Sequence, residues 1–371
     1  MNKKKLHIIS LDVPYPADYG GVIDIFYKIK ALKEIGVEII LHTFQYGRSE
    51  ADELNFYASK VIYYQRSRGL RFFLKNKPYI VSTRSSKQLL EELQKDEYPI
   101  LFEGLHTTDL LEKEEIKDRL KIVRTHNIEH DYYYNLYKSE NVFLKKKYLK
   151  IEAKRLKKYE KILNKANHIL AISPNDKNYL KLNYDNVHYI PAFHNFSKIK
   201  TKIGRKDYIL YHGNLSVSEN ITAVVFLLEN VLNKINYPTI IAGKNPSKEI
   251  LKLAENLAHV KIIKNPSDGK MNSLLANAHI NLLPTFQATG IKLKLLNSLF
   301  ASKFCIVNTP MVSNTGLEEI CIVKNTAQEF IDGIEFYFSK SFTANDLEKR
   351  TEVLLKKFSN NNNAFKILDL L

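Results

Sequence analysis

Long apolar runs and cysteine are both scarce in this sequence of 371 residues. No stretch reaches the roughly 18 uninterrupted apolar residues that a membrane-spanning helix requires. The basic start, MNKKKLHIIS, meets Asp12 too soon for the apolar region of a secretory signal, so residues 6–11 are interpreted as a first strand. The two cysteines, Cys305 and Cys321, lie in apolar runs, which predicts buried free thiols in a reducing compartment. We therefore expect a cytoplasmic protein.

Motifs for several common chemistries are missing as well. No cluster of cysteine and histidine has the spacing of a zinc site, so no metal is predicted. The GK[ST] and GxGxxG patterns of phosphate-binding loops do not occur. Nucleic-acid binding is supported by charge alone, since neither an aromatic-basic RNA-binding pattern nor a helix-turn-helix signature is found. Nucleic acid is therefore not predicted as a partner.

Basic residues outnumber acidic ones, and the formal net charge is +16. Such an excess favours an anionic partner, such as a membrane surface or a phosphorylated substrate. A generally basic surface explains the same excess. Charge therefore leaves both interpretations open.

Short β-rich apolar runs alternate with helical patterns, which predicts an α/β fold with mostly parallel sheets. The alternation pauses at residues 195–206, a polar and basic stretch that suits a linker, and then restarts. We predict two Rossmann-like domains that face each other across a cleft, at residues 1–195 and 207–345, followed by a C-terminal helical tail at 346–371. Ligands of such folds bind beyond the carboxyl ends of the strands, so the loops there are the candidates for chemistry.

Two loops of the N-terminal half carry such candidates. Gly20 and Gly21 end the first loop at a helix start, where backbone N–H groups and the helix dipole favour phosphate. The second loop, THNIEHDYYYNLY, follows the strand KIVR and brings Arg124, His126 and Glu129 to one strand end, together with Asn127 and His130. We expect these polar groups to face the cleft rather than the core.

The C-terminal half repeats this arrangement at its first two strand ends. Gly213 and Asn214 end the first strand, and Gly243 and Lys244 end the second. A glycine lets the backbone approach a ligand closely, and the lysine adds a mobile cation. These positions are candidates for binding a nucleotide.

The stretch FQATGIKLKLLNSLFASK, residues 286–303, resembles the start of a phosphate-binding helix. Gly290 opens a helix predicted over 290–300, and Lys292 lies in its first turn. A lysine there opposes the helix dipole unless an anion is bound, so Lys292 is the better phosphate ligand. Lys294 points to a different face, where it either binds phosphate or keeps the surface soluble.

In order and spacing, five stretches resemble the GT-B glycosyltransferases, and among them the retaining enzymes of family 4. The stretches are PYPADYGG, THNIEHDYY, NHILAIS, YHGNLSVSEN and ATGIKLKLLNSL, and together they span essentially the whole chain. The versions found here look most like uncharacterised glycosyltransferases from Bacteroidetes.

The resemblance implies transfer of a hexose from a nucleotide-diphosphate sugar to an acceptor hydroxyl with retention, without a metal or cofactor. The sequence lacks the DxD pair of metal-dependent enzymes, which agrees. A glycan or lipid-linked acceptor in cell-envelope or surface polysaccharide synthesis is expected. The resemblance gives catalytic roles to His126 and Lys292. It makes donor-binding residues of Gly20, Gly21, Gly213, Asn214, Lys244, Thr289, Gly290, Ile291 and Asn297.

Three departures from the family pattern bear on activity. Family members usually carry two glutamates around the last helix, where this chain has Gln287 and Asn297, and Ser302 replaces a glycine. An amide still bonds hydroxyls, but a charged acceptor bond is about twice as strong, so ribose binding should weaken. A weakly active or inactive GT-B subunit that binds sugar or acts as a scaffold is therefore an alternative.

A nucleotide-sugar epimerase is a second, weaker alternative on the same scaffold. Its chemistry needs carboxylates that act as acid and base in the cleft. Glu103, Glu129 and Asp18 could serve, but none lies in a matching motif.

The segment FLKKKYLKIEAKRLKKYEKILNKA, residues 143–166, has ten Lys or Arg and two acids. Its apolar residues, at helical spacing, are Leu144, Tyr148, Ile151, Leu156, Tyr159 and Ile162. This stripe favours a surface helix packed on the N-terminal domain over one inserted into a bilayer. Its basic face could still rest on anionic lipid, which would place the protein peripherally at the inner face of the cytoplasmic membrane.

Overall fold

The computed structural model describes residues 4–196, 198–286 and 293–371, and its strands form two sheets. The strands are β1 (Lys5–Ser10), β2 (Glu38–Gln45), β3 (Lys60–Gln65), β4 (Ile100–Glu103), β5 (Lys121–Arg124), β6 (His168–Ala171), β7 (Val187–Tyr189), β8 (Ile209–Asn214), β9 (Thr239–Lys244), β10 (Val260–Lys264), β11 (Ile280–Leu283), β12 (Phe304–Val307) and β13 (Ile322–Val323). One sheet has the order β3-β2-β1-β4-β5-β6-β7 and the other the order β10-β9-β8-β11-β12-β13. All of these pairings are parallel.

Helices connect the strands, as the alternating sequence pattern predicts. They are α1 (Gly20–Glu34), α2 (Tyr79–Ser82), α3 (Lys87–Leu93), α4 (Glu129–Ser139), α5 (Phe143–Tyr159), α6 (Pro174–Lys181), α7 (Ser218–Asn230), α8 (Lys248–Glu255), α9 (Asp268–Asn277), α10 (Leu293–Ala301), α11 (Thr309–Val312), α12 (Ala327–Phe338), α13 (Ala344–Phe358) and α14 (Asn360–Leu368). Several begin at serine or threonine caps; Thr326 and Glu329, for example, form a reciprocal capping box at α12. No helix in the described part of the chain is both long enough and apolar enough to span a bilayer.

The described residues divide into two compact units. Unit 1 comprises residues 4–195 and 358–371, and unit 2 comprises 196, 198–286 and 293–357. The predicted tail at 346–371 is thereby divided, because α13 belongs mainly to unit 2 whereas α14 belongs to unit 1. Ala364 and Ile367 of α14 are buried in the same apolar cluster as Leu32 of α1. The helical tail predicted from the sequence includes α14, but the division of that tail between the two units was not predicted.

Both cysteines are free thiols; Cys305 is buried and Cys321 is half-buried. Burial raises the pKa of both thiols, to about 11 for Cys305. A thiol with a raised pKa carries little thiolate at neutral pH and is a poor nucleophile. The two cysteines therefore belong to the packing of unit 2 rather than to its chemistry.

Three neighbouring strands of unit 1 carry a buried chain of hydrogen-bonded rings. His42 Nδ1 lies 2.8 Å from the Tyr64 hydroxyl, and His42 Nε2 lies 2.8 Å from His7 Nδ1. His7 Nε2 lies 2.9 Å from Asp96 Oδ1, which ends the chain. Burial lowers the pKa of His7, and burial together with the nearby His7 lowers that of His42 to about 3. Both imidazoles are therefore mainly neutral in the folded protein at pH 7, and His42 stays so in mild acid.

We predict that this chain of rings makes the protein sensitive to acid. Below pH 6.5 the unfolded chain protonates His42 while the folded chain does not, so stability falls as the pH falls. The free energy of unfolding should drop by about 2 kcal/mol between pH 7 and pH 5 from His42 alone. Urea unfolding of His42→Gln should show a shallower pH dependence by that amount. His259→Gln, at a half-exposed imidazole, is the control, and an unchanged slope in His42→Gln would contradict the assignment.

Candidate functional site

The carboxyl edge of the unit 1 sheet holds the glycine loop, residues 11–21, which leads from β1 into the first turn of α1 at Gly20 and Gly21. Asp12 organises this loop from a buried position: its Oδ1 accepts the N–H groups of Val13 at 2.9 Å and Tyr46 at 3.2 Å. Its Oδ2 accepts the Tyr19 hydroxyl at 3.1 Å. Tyr19 precedes the first turn of α1 without capping it through its side chain. The loop is thereby anchored beside the helix start at Gly20 and Gly21.

His126 lies directly beside this glycine pair. A Cβ atom added to Gly21 would lie 3.6 Å from His126 Nδ1 and 3.5 Å from the Tyr19 ring. The other ring nitrogen, Nε2, lies 2.9 Å from Glu103 Oε2. A carboxylate accepts rather than donates, so Nε2 carries the proton and Nδ1 is the edge turned toward Gly21. The structure thus brings together Gly21 and His126, two residues that the sequence analysis proposed separately.

A buried ion-pair network holds Glu103 and His126 in place. Lys28 Nζ lies 2.9 Å from Asp24 Oδ2 and 2.8 Å from Glu103 Oε1. Arg124 binds Asp24 through two nitrogens, at 2.9 and 3.1 Å. All four charged side chains are fully buried. The Asp24–Lys28–Glu103–Arg124 network therefore carries two positive and two negative charges that balance.

The network keeps its carboxylates ionised despite burial. Burial acts to raise the pKa of Asp24, but the Arg124 and Lys28 charges outweigh it and the pKa is lowered. The pKa of Glu103 is lowered in the same way: burial opposes the shift, and Lys28 and the His126 hydrogen bond outweigh it. The oxygens of Asp24 and Glu103 and a His126 nitrogen lie within 4.8 Å of one another, as metal ligands would. We assign them to ion pairing, because the Lys28 ammonium already supplies the neutralising charge between the two carboxylates.

Arg124 corrects one prediction from the sequence. We expected the polar groups after β5 to face a cleft, but Arg124 points into the core, where its guanidinium also bonds the carbonyls of Ile190 and Pro191. Glu129 and His130 are buried as well. The sequence pattern located the strand end correctly, but it could not distinguish a ligand-facing side chain from one that pairs inside the sheet.

The carboxyl edge of the unit 2 sheet brings the next candidates together. Gly213 pairs with Gly243 and Asn214 with Lys244 in the β8–β9 ladder. A Cβ atom at Gly243 would lie 1.8 Å from the Gly213 carbonyl oxygen, so this position requires glycine for the packing of the two strands. The Lys244 side chain is exposed. The role of Gly243 is thus structural, and Gly213 and Lys244 lie beside each other at the edge.

Lys294 belongs to this edge, which the sequence analysis did not resolve. Its side chain is half-buried, and its Nζ donates to Asn220 Oδ1 at 2.9 Å and lies 5.4 Å from the centre of the Tyr211 ring. Asn220 in turn donates from Nδ2 to the Asn214 carbonyl at 2.9 Å. The interpretation of Lys294 as a surface lysine is therefore wrong. Lys294 is instead a half-buried cation that lies beside the carboxyl end of β8, which it reaches through Asn220.

Two of the departures from the family pattern fall on described residues. Ser302 is fully buried, and its hydroxyl donates to the Ser298 carbonyl at 2.6 Å and accepts from Asn281. Ser302 therefore has a packing role in unit 2 and says nothing about activity. Asn297 is half-buried on α10. The predicted site residues Thr289, Gly290, Ile291 and Lys292, together with Gln287, lie outside the described residues.

We predict that the buried network is needed for folding as much as for orientation. Lys28→Met would remove the cation between the two buried carboxylates: Asp24 keeps its pair with Arg124, but Glu103 is left buried without a cation, which costs about 3–5 kcal/mol of unfolding free energy. Urea unfolding measures this loss. Lys30→Met, two residues along the same helix and half-buried, is the matched control and should change stability little. Equal losses in the two variants would show that Lys28 does not hold the network together.

Comparison with known proteins places this architecture. No protein-family model matches the sequence. An uncharacterised 44.6 kDa protein in the cps region of Klebsiella pneumoniae is 27% identical over 330 residues, which cover 84% of each chain. This likeness concerns a protein whose own activity is not described.

Solved structures match the fold over the full length. A glycosyltransferase of Rickettsia africae aligns with a TM-score of 0.68 at 14% identity, covering 100% of this chain and 98% of the other. S. aureus TarM, crystallised with UDP, fondaparinux and alpha-GlcNAc-glycerol, gives 0.69 at 13%, covering 99% of both chains. Anabaena HepE with UDP and glucose gives 0.66 at 11%, covering 99% and 98%. The α/β fold class and the resemblance to the GT-B fold that the sequence predicted are thereby confirmed, and the chain has the GT-B fold.

Proposed function

We propose that this protein is a retaining glycosyltransferase that transfers a hexose from a nucleotide-diphosphate sugar to an acceptor hydroxyl. The observation that carries the proposal is the full-length match to glycosyltransferases, two of which were crystallised with UDP. The position of His126 beside Gly21 supports it from the chain's own geometry. The cps-region relative favours a surface or envelope polysaccharide as the product.

In the proposed reaction, unit 1 binds the sugar and unit 2 binds the diphosphate. His126, oriented by Glu103, presents Nδ1 to a hydroxyl of the transferred sugar. The bond between the anomeric carbon and the diphosphate oxygen breaks, and the acceptor oxygen bonds that carbon on the same face. The acceptor proton leaves with the diphosphate. Preformed positive charge aimed at the leaving diphosphate is the main source of rate acceleration.

The positive charge in unit 2 is proposed to come from lysines and backbone amides. Lys294 and the Gly213 amide lie at the described edge, and Lys244 lies beside them. Lys292 and the Ile291 amide, placed by the family resemblance, would complete the set. With lysines in this role, the reaction is proposed to need neither a metal nor a cofactor.

A thermal-shift panel of nucleotides and nucleotide sugars tests the donor site. One nucleoside diphosphate, with UDP tried first, should stabilise the protein by about 2.7 kcal/mol at a concentration of 100 times its Kd. Lys294→Ala and Lys292→Ala should weaken this binding at least tenfold. Lys252→Ala, on the helix α8, should bind as the wild type does. His126→Ala should retain nucleotide binding but lose product formation with the matching donor. Stabilisation by none of the nucleotides would contradict the proposal.

Asn297 is the observation behind the second candidate, a weakly active or inactive subunit that binds sugar or acts as a scaffold. An amide in place of the usual glutamate makes a weaker bond to a ribose hydroxyl. Asn297→Glu should therefore tighten UDP binding if the residue faces ribose. Unchanged affinity would mean that Asn297 does not contact the nucleotide, which would remove this support for the second candidate.

We also propose a peripheral location at the inner face of the cytoplasmic membrane, through α5. The packed stripe predicted for this segment is only partly correct: Leu156 and Ile162 are buried, but Ile151 is exposed and Leu144 is 76% exposed. Phe143 is also 76% exposed at the start of the helix, and Phe143 and Leu144 are followed directly by three consecutive lysines. Exposed apolar side chains next to cations are typical of a surface that rests on anionic lipid.

Vesicle flotation tests the membrane contact. Full-length protein should float with vesicles rich in phosphatidylglycerol and stay behind with phosphatidylcholine vesicles. Phe143→Ser with Leu144→Ser should reduce flotation severalfold, whereas Phe336→Ser, at an exposed phenylalanine of unit 2, should not. Equal absence of flotation with both lipids would rule the contact out.

A further inference from the structure

The segment after β3 combines strong positive charge with a complete lack of acids. Residues 54–90 contain no Asp or Glu, and their basic residues are Lys60, Arg66, Arg68, Arg71, Lys75, Lys77, Arg84 and Lys87. The part from Arg66 to Arg84 lies at the carboxyl edge of the unit 1 sheet, the edge that also holds the glycine loop and His126. None of these arginines takes part in the proposed donor site.

Arg84 is a buried cation without a carboxylate partner. It is only 4% exposed, and it donates from Nε to the Leu11 carbonyl and from Nη1 to the Ile80 carbonyl, each at 2.8 Å. Of the described residues, no carboxylate lies within ion-pair distance of it. Arg124 and Lys28, by contrast, are buried against Asp24 and Glu103. A buried charge without a counter-charge is costly, so Arg84 is suited to an anion that binds there.

A second arginine is fixed beside Arg84. Arg66 donates from Nε to the Thr83 hydroxyl at 2.9 Å, and its guanidinium carbon lies 4.0 Å from the centre of the Tyr46 ring. Burial and then the positive charge of Arg66 lower the pKa of Arg84 to about 10, so both remain charged at neutral pH. Like charges held together raise the free energy of the protein unless an anion joins them.

Arg68 completes the group from the exposed side. Its guanidinium carbon lies 5.3 Å from the centre of the same Tyr46 ring. Tyr46, which is half exposed, therefore holds two guanidinium groups at once, with cation–π contacts that fix their planes. Fixed guanidinium groups match the oxygens of phosphate, with little loss of side-chain freedom on binding.

Acids near the arginine group do not neutralise it. Asp12, Glu129 and Glu152 interact electrostatically with Arg84 or Arg66. Burial raises the pKa of all three, that of Glu129 to about 8. Asp12 also accepts the N–H groups of Val13 and Tyr46, and Glu152 accepts the N–H group of Ile80 in α2. Glu129 is thus mostly neutral at neutral pH, and the three arginines outnumber the two other acids.

We propose that Arg66 and Arg68, which lie over the Tyr46 ring, form together with the neighbouring Arg84 a site for a diphosphate group carried by the acceptor. Its role as an acceptor site rests on the proposed transferase function, whereas the binding of a diphosphate does not. Three guanidinium groups match the several charges of a diphosphate better than the single charge of a carboxylate. Asp12 links this site to the loop before Gly20 and Gly21, because it accepts both the Tyr46 N–H and the Tyr19 hydroxyl, so a bound diphosphate would lie on the same edge as His126.

Titration calorimetry with inorganic pyrophosphate tests the site. The full-length protein is first saturated with UDP, which occupies the proposed donor site, and pyrophosphate is then added. Arg66→Gln with Arg68→Gln should raise the Kd for pyrophosphate at least tenfold and leave UDP binding unchanged. Arg71→Gln is the matched control, because Arg71 comes from the same loop but lies over Phe72. The exposed Arg68→Gln alone should give a smaller rise in the same direction, which covers the case in which the double variant folds poorly.

Absence of pyrophosphate binding, or equal binding by the double variant, would overturn the site. If UDP does not bind at all, the proposed donor site is ruled out. The arginine site is then still tested by titrating pyrophosphate without UDP into the wild type and the arginine variants and comparing the Kd values. Vesicle flotation distinguishes a lipid headgroup from a free diphosphate. If vesicle binding requires Arg66 and Arg68 and is not displaced by pyrophosphate, the arginines contact a membrane surface, and the proposal is overturned. With an active donor, a diphosphate-bearing glycan should show a KM at least tenfold below that of its neutral glycoside.

Discussion

The carboxylate of Asp24 is the point on which the N-terminal half of the molecule depends. It lies on α1, yet it receives Lys28 from the same helix, Arg124 from β5 and the Phe193 N–H group from the segment after β7. The helix α1, the strand β5 and the segment after β7 are thus joined through one buried hydrogen-bond acceptor. Lys28 extends the contact to Glu103, and Glu103 orients His126. The proposed catalytic imidazole is therefore as well fixed as the core itself.

Two ways of treating buried positive charge occur on the same sheet edge. Around Asp24, each cation has a carboxylate, and the group is electrically complete without a ligand. Arg66, Arg68 and Arg84, by contrast, contact carbonyls, a hydroxyl and the Tyr46 ring and form no ion pair within the described part of the chain, so their charge stays available. A balanced network orients side chains, whereas an unbalanced one attracts anions. This contrast separates the structural part of the edge from the part proposed to bind substrate.

The regular elements were accessible from the sequence, because apolar periodicity reports burial directly. The strands predicted at residues 6–11 and at KIVR are observed at Lys5–Ser10 and Lys121–Arg124. Side-chain partners were not accessible, since they lie far apart in the chain. Lys294 was ambiguous because its partner Asn220 is 74 residues away. The packing of α14 on α1 was not accessible either, because the two helices lie more than 300 residues apart in the sequence.

That last helix has a consequence for how the protein is made. The chain leaves unit 1 after residue 195, builds unit 2, and returns for α14, which covers apolar side chains of α1 and exchanges hydrogen bonds between Asn360 and His194. During synthesis, unit 2 can close as soon as its own residues have left the ribosome. Unit 1, although it is translated first, keeps part of its apolar face uncovered until the last residues emerge. The order of synthesis and the order of completion are thus reversed, and a ribosome stalled before residue 360 holds an unfinished first unit.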